Sequence, residues 1–293
     1  MRILNFGSLN IDFVYSVDHI VKPGETIASR RLDVFCGGKG LNQSIALAKA
    51  GARPVHAGMV GPDGAMLLAK LNDNGVDASL VRTVDERSGN AIIQVAADGQ
   101  NSIVLFGGAN RANTRDYVDS VLGQFAAGDL LLLQNEINLM PYIIERAAAK
   151  GMTIALNPAP FDDNLAACDL EKVNLFIVNE LEGEALGGAS EPDAIIARIA
   201  EKYPAANVLL TLGKDGARYR DADGVVSCGI FETPVVDTTA AGDTFTGYFL
   251  AGMSENLTPG EALRLASRAA AIAVSRPGAA DSIPLIGEVE KMQ

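Results

Sequence analysis

Histidine is nearly absent from this sequence. The chain has only His19 and His56, and it has no tryptophan. A histidine-ligated zinc centre, or a triad that depends on imidazole, therefore lacks its building material. Cysteine is sparse as well. Cys36, Cys168 and Cys228 are odd in number, far apart and form no CxxC pair, so reduced thiols in a cytoplasmic protein are expected. Apolar runs stay well short of the about 20 residues that span a bilayer. Residues 1–7 read as a strand rather than a signal peptide, and no membrane partner is expected. Positive charge is the last shortage: 24 Lys and Arg stand against 36 Asp and Glu, a net charge of −12 at pH 7. A protein of that sign repels nucleic-acid phosphates, so no nucleic-acid partner is expected. A nucleotide held locally with a cation remains compatible.

What is present is an α/β pattern. With 48% hydrophobic residues among 293, the chain can build one large core or two smaller ones. Strands are predicted near 3–7, 54–60, 130–134, 153–157, 175–179 and 208–211. Helices are predicted near 41–50, 65–73, 115–125, 139–150, 192–203, 243–253 and 259–275. Continuously apolar strands between helices imply a mostly parallel sheet covered on both faces. Ligands of such sheets bind beyond the carboxyl ends of the strands. Gln134-Asn135-Glu136, Asn157-Pro158, Asn179-Glu180 and Thr211-Leu212-Gly213 all fall there. Segment 13–35 breaks the rhythm with a turn at Pro23-Gly24, and 91–106 reads as a hairpin around Asp98-Gly99. Both suit a small β lid. One domain over 1–293 is expected, with the lid at about 13–36 and 91–106.

The most informative stretch is Asp237-Thr238-Thr239-Ala240-Ala241-Gly242-Asp243-Thr244-Phe245-Thr246-Gly247. It places a small-residue loop before an apolar helical pattern. Free N–H groups and the dipole at a helix N-terminus attract anions. Asp243 cannot hold such an anion, because the charges repel. It either complements the helix start, its bland reading, or takes a proton from a group attacking the anion. Gly37-Gly38-Lys39-Gly40-Leu41-Asn42-Gln43 is a flexible turn on the bland reading and a close backbone approach to a ligand on the other. It is not a P-loop, since nothing matches GxxxxGK[ST], and no GxGxxG follows the first strand. Asn10, Asp12, Asn42 and Glu136 supply amides and carboxylates that suit sugar hydroxyls. Asn179 and Glu182 either complement a helix dipole or organise a Mg²⁺ ion and its waters beside phosphates.

Taken together, the motifs at 7–12, 23–25, 37–43, 157–160, 179–182, 211–216 and 237–247 resemble the PfkB carbohydrate kinases over nearly the whole chain. The resemblance implies a three-layer α/β/α sandwich with a mostly parallel central sheet, a small β-sheet lid and a homodimer through that lid. It implies ATP, Mg²⁺ and a monovalent cation such as K⁺, with phosphoryl transfer to a primary hydroxyl of a sugar. Carried over by motif, Asp243 is the base and the backbone of Ala240, Ala241, Gly242 and Asp243 the anion hole. Asn10, Asp12, Gly38, Lys39, Asn42 and Glu136 hold the sugar. Asn179, Thr211, Gly213, Gly216, Gly242 and Ser267 contact the nucleotide, with Glu182 near Mg²⁺ through water. Asp237, Thr239, Ala273, Arg276, Gly278 and Ser282 hold the monovalent cation. Leu41 stands where the family usually has Ala, and Asn135 where Leu is common. The acceptor expected first is a neutral pentose, D-ribose, ahead of deoxyribose, fructose or a nucleoside; a non-catalytic sugar or nucleotide sensor is the rival class.

Overall fold

The computed structural model describes residues 1–292. Thirteen strands are present among the described residues: β1 (Ile3–Phe6), β2 (Asn10–Val17), β3 (Arg31–Gly37), β4 (Pro54–Val60), β5 (Asp77–Thr83), β6 (Gly89–Ala96), β7 (Asn101–Phe106), β8 (Leu130–Gln134), β9 (Thr153–Asn157), β10 (Leu175–Asn179), β11 (Asn207–Thr211), β12 (Ala217–Asp221) and β13 (Gly224–Cys228). The helices are α1 (Lys39–Lys49), α2 (Ala65–Asp73), α3 (Arg115–Leu122), α4 (Met140–Ala149), α5 (Glu180–Gly187), α6 (Pro192–Lys202), α7 (Ala241–Ser254), α8 (Pro259–Val274) and the short α9 (Ile286–Val289).

Nine strands form one sheet in the order β13-β12-β11-β10-β9-β8-β1-β4-β5. The run from β11 to β5 is parallel, and β12 and β13 close the edge in antiparallel fashion. Strands such as β8, Leu-Leu-Leu-Leu-Gln, are buried along their whole length because helices cover both faces. One face packs Phe6, Leu131, Leu133 and Phe176 against Val118, Ile143, Ile144, Ile195 and Ile199 of α3, α4 and α6. The other packs Ile3, Leu132 and Leu209 against Ile45, Leu67, Phe245, Phe249 and Leu263 of α1, α2, α7 and α8. This is the three-layer sandwich expected from the sequence. Strands β5, β12 and β13 were not anticipated. They are polar or exposed along much of their length, so they lack the apolar run that marks a buried strand.

The remaining strands form a separate sheet in the order β3-β2-β6-β7. The hairpin at Asp98-Gly99 is where the sequence placed it, between β6 and β7, with Gly99 at φ 85°. Strand β2 starts at Asn10 rather than at 13, so the first two polar residues of the sugar motif lie inside this sheet. Val34, Phe13, Ile92 and Val104 pair across all four strands and so share a face. Val34, Ile92 and Val104 are exposed there.

Helices α1 and α7 approach unusually closely. A Cβ on Gly247 would lie 2.4 Å from Ala46 Cβ and 2.7 Å from Leu47 N. That contact sits one turn beyond Gln43 on α1 and Asp243 on α7, and it presses the first turns of the two helices together.

Candidate active site

Helix α7 begins at Ala241, two residues before the expected start, so Asp243 lies in its first turn. Ala240 is left-handed, at φ 58°, and offers no side-chain cap. Such a conformation costs about 1 kcal/mol or more for a residue with a Cβ. It turns the chain so that the uncapped helix start faces a pocket. Ala241 N–H is taken by Thr238 O. The N–H groups of Gly242 and Asp243 lack intrahelical partners, as first-turn donors do. Of the backbone donors expected over 240–243, only Ala241 N–H is taken up by the chain itself, beside one buried carboxylate.

Asp243 is 7% exposed. Asn42 Nδ2 donates to its Oδ2 at 3.0 Å and Gln43 Nε2 to its Oδ1 at 2.9 Å. Each oxygen retains a lone pair for a hydroxyl. Asn42 Oδ1 is buried with no partner, an orphan acceptor beside the carboxylate.

On one side of Asp243 lies a polar pocket of about 250 Å³, lined by Lys39, Asn157, Asn179, Glu182, Thr211, Thr238, Thr246 and the first turn of α7. Asn179 caps α5, and Glu182 completes a capping box with it. Asn157 Nδ2 also reaches Glu182 Oε2 at 3.3 Å. The pair complements the helix start and also lines the pocket. Burial pushes the Glu182 carboxyl above its usual range. Burial by itself would lower the Lys39 ammonium, but Asp243, Glu136 and Glu182 outweigh it and hold the cation above its ordinary value.

Sharing Thr211, Thr238, Ala241 and Gly242 with this pocket is an apolar cleft of about 850 Å³. Phe231, Pro234, Val235, Phe245, Ala270 and Val274 line it together with Gly213, Gly216 and Ser267. Ser267 Oγ is buried there without a partner. Gly216, at φ 87°, could carry no side chain: a Cβ would meet Cys228 O at 2.1 Å. An apolar cleft opening into a polar pocket that holds the Lys39 ammonium and a helix N-terminus fits a nucleotide, base in the cleft and phosphates at the helix start.

A separate cavity of about 480 Å³ is lined by Asn10, Asn110, Asn135, Glu136, Phe106 and Arg111, among others. Asn10 Oδ1 accepts from Asn110 Nδ2 at 2.7 Å. Glu136 accepts from Ser8 Oγ and, at 3.1 Å, from Lys39 N–H. Burial raises the Glu136 carboxyl. Asp12 is pushed up to about 7 by burial and by Glu136. The glycines make room for these acids. A Cβ on Gly37 would lie 1.9 Å from Asp12 Oδ2, on Gly40 2.4 Å from Ser8 N, and on Gly89 2.3 Å from Asn10 Oδ1. Gly38 takes φ 92° at the start of α1.

Several placements differ from the sequence reading. Lys39 reaches Glu136 with its backbone and lines the pocket next to Asp243 with its side chain. Leu41 is fully buried in the core with Leu9 and Ile45 and lines no cavity. Asn135 does line the 480 Å³ cavity, anchored to Pro160 O and Asp162 at 2.7 Å each. Arg111 puts a cation on the cavity wall that the sequence reading did not single out. Asn110 and Ser8 were missed, because isolated Asn and Ser residues carry no pattern of their own.

Of the residues expected to hold the monovalent cation, Asp237, Thr239 and Gly278 are joined directly. Val236 and Asp237 N–H both reach Val274 O, and Asp237 Oδ2 accepts from Gly278 N–H at 3.0 Å. Asp237 Oδ1 takes Thr239 N–H and Oγ1 at 2.9 and 2.6 Å. Ser282 is buried, with Oγ donating to Ala279 O. Arg276 turns its side chain away, to Glu288 at 2.6 Å, while its N–H bonds Ala273 O. Among the described residues, no group of three His, Cys, Asp or Glu side chains could hold a metal ion, and no helix is long and apolar enough to cross a membrane.

An uncapped helix start with a buried carboxylate, beside an apolar cleft and accompanied by a second cavity lined with amides and a carboxylate, is the layout of a small-molecule kinase. The chain belongs to the pfkB family of carbohydrate kinases, whose profile matches residues 2–286. It is 37% identical to the ribokinase of Haemophilus influenzae over 95% of this chain and 94% of that protein. It is similar to the structure of Arabidopsis thaliana ribokinase complexed with ribose and ATP, with a TM-score of 0.86 and 30% identity over 99% of this chain and 98% of that one. It is also similar to Cryptococcus neoformans ribokinase in complex with ADP, with a TM-score of 0.85 and 32% identity over 100% and 99% of the two chains.

Proposed function

We propose that this carbohydrate kinase transfers the γ-phosphoryl group of ATP to the primary hydroxyl of D-ribose, giving ribose 5-phosphate. One observation carries the reading. The Asp243 carboxylate lines the pocket at the start of α7, and the Asn42 amide that bonds it keeps its Oδ1 without a partner. An acceptor pair left unfilled in a buried site calls for a hydroxyl donor.

In this reading the sugar lies in the cavity, its hydroxyls read by Asn10, Asp12, Asn42 and Glu136. Asp243 accepts the proton of the attacking hydroxyl. Gly242 and Asp243 N–H groups and the Lys39 ammonium face the charge that develops on the phosphoryl oxygens. The adenine side of ATP occupies the cleft, with Ser267, Gly213 and Gly216 against it. A bare protein site for Mg²⁺ is not expected, because too few carboxylates converge. Glu182, Asn157 and Asn179 suit an ion that keeps its waters and arrives with the phosphates. When bound, Mg²⁺ would neutralise phosphate charge. A monovalent ion near Asp237 would shape the 237–241 loop from behind. The protein is read as one kinase unit, cytosolic, with the four-stranded sheet as a lid. The exposed row of Val34, Ile92 and Val104 supports a homodimer that pairs two lids.

The test is ADP release across ribose, deoxyribose, fructose and nucleosides, with Asp243→Asn as control. Ribose should give the highest kcat/KM, and Asp243→Asn should lower kcat by ~10²–10⁴-fold. A nucleoside preferred over every free pentose would overturn the substrate, and near wild-type turnover in Asp243→Asn would overturn the base.

A further inference from the structure

Asp243 is the end of a buried chain of polar side chains that runs through the central sheet. Gln43 Nε2 donates to Asp243 Oδ1 at 2.9 Å and to Asn157 Oδ1 at 3.1 Å. Gln134 Nε2 donates to Gln43 Oε1 at 2.7 Å and to Asn5 Oδ1 at 2.9 Å. Asn5 Nδ2 donates to Gly40 O and to Ser44 Oγ, both at 2.8 Å. Ser44 Oγ lies 2.8 Å from His56 Nδ1. Asn5, Gln43, Ser44, His56 and Gln134 are fully buried. Three of them stand on β1, β4 and β8 and two on α1, and such buried polar groups are costly unless bonded; of these five only Gln134 Oε1 and His56 Nε2 lack a partner.

The chain has a direction, and chemistry fixes it. An ionised carboxylate only accepts, so Gln43 must present its NH₂ to Asp243. Its oxygen then faces Gln134, which must present NH₂ in turn. The same logic passes to Asn5. Each of the three amides has both N–H protons committed, so reversing any one would set donor against donor or acceptor against acceptor. Ser44 receives from Asn5 and gives its proton to His56 Nδ1. That requires a neutral imidazole, and burial lowers His56 to about 4. The Gly7 carbonyl favours the ring proton slightly while standing outside hydrogen-bonding geometry to Nε2. Space for the chain is built into the backbone: a Cβ on Gly7 would lie 2.3 Å from Gln134 Oε1.

We propose that Gln43 is a positioning residue for phosphoryl transfer: its amide, oriented by the one-directional chain Gln134–Asn5–Ser44–His56, holds Asp243 as an acceptor aimed at the sugar hydroxyl. This rests on Asp243 being the base. The charged groups that face Asp243 are Lys39 at the start of α1, Glu136 after β8 and Glu182 on α5. None of them bonds its carboxylate directly, whereas Gln43 does. Asn42 holds the second oxygen and the sugar. Gln43 touches neither ligand space, so its effect should appear in kcat and not in KM.

The test uses the full-length protein with saturating ribose and ATP, and two near-isosteric variants. Gln43→Glu replaces the donor with an oxygen about 3 Å from Asp243, where two carboxylates cannot both ionise. The acid limb of the kcat profile should then move up by about one pH unit or more. Gln43→Met removes the donor without adding charge. It should lower kcat by ~10-fold or more while KM for both substrates stays within about threefold. Melting curves by circular dichroism establish that each variant is folded, and Gln43→Met decides alone if Gln43→Glu is not. A wild-type kcat in Gln43→Met, or a destabilised Gln43→Glu with an unmoved limb, would reduce Gln43 to a structural role. Asp243→Asn separates the two levels: if it stays active the base assignment fails, and if it is dead while the Gln43 variants are unaffected only this inference fails.

Discussion

Replacing Asp12 by Asn should make the sugar-free protein more stable at alkaline pH while damaging sugar binding. Asp12 releases its proton near 3.8 in the unfolded chain and near 7 when folded, because burial and the neighbouring Glu136 both disfavour its charge. Between those values the folded state holds more protons. Raising the pH therefore draws the equilibrium toward unfolding. The contribution is fully present below about pH 4 and lost as pH passes 7. At 1.36 kcal/mol per unit, the ceiling is about 4 kcal/mol. Asp12 keeps some surface in water, and solvent relaxation there discounts the shift to ~2 kcal/mol. For 293 residues that corresponds to about 3 °C in Tm. Asp12→Asn removes this titration. Urea melts of both proteins from pH 4 to 8, without sugar, should nearly coincide at pH 4, diverge steadily between pH 4 and 7 with the variant ahead, and run parallel above pH 7. The KM for sugar should rise in parallel, since an ionised acceptor has been lost. Two stability profiles that stay parallel across the whole range would refute the reasoning, and with it the claim that the sugar site stores electrostatic strain.

Three further outcomes follow from the same geometry. Gly37→Ala would drive a methyl into the Asp12 carboxylate; overpacking of about 1–3 kcal/mol predicts a ~5–150-fold rise in sugar KM, measured by ADP release. Leu41→Ala should cost about 2–5 kcal/mol of stability as a core cavity yet leave the order of sugar preferences unchanged, so an altered order would contradict the placement of Leu41. Activity should be higher in potassium than in a bulky organic cation at equal ionic strength, and Asp237→Ala should abolish the difference; equal rates in both salts would discard the ion site.

Much of the layering was legible in the chain alone. Continuously apolar strands such as 130–134 and helices with one apolar stripe can pack in few ways, and the turn chemistry of Asp98-Gly99 is local. The motif 237–247 marked an exposed helix start with an acid in its first turn because the loop, the helix start and the acid are contiguous. Tertiary structure decided what contiguity cannot encode. Leu41 sits one residue from Asn42 and reads as a neighbour of the sugar, but helical periodicity turns it into the core. Asn110 and Ser8 reach the site from distant segments and carry no pattern. The chain from Asp243 to His56 joins residues up to 200 positions apart. Its members are ordinary polar residues in five separate stretches, and only the close contact of Gly247 with Ala46 and the stacking of β1, β4 and β8 bring them within hydrogen-bonding reach. Short-range sequence patterns record propensity and burial; the pairing of a particular amide with a particular carboxylate depends on distances that exist only once the layers have packed.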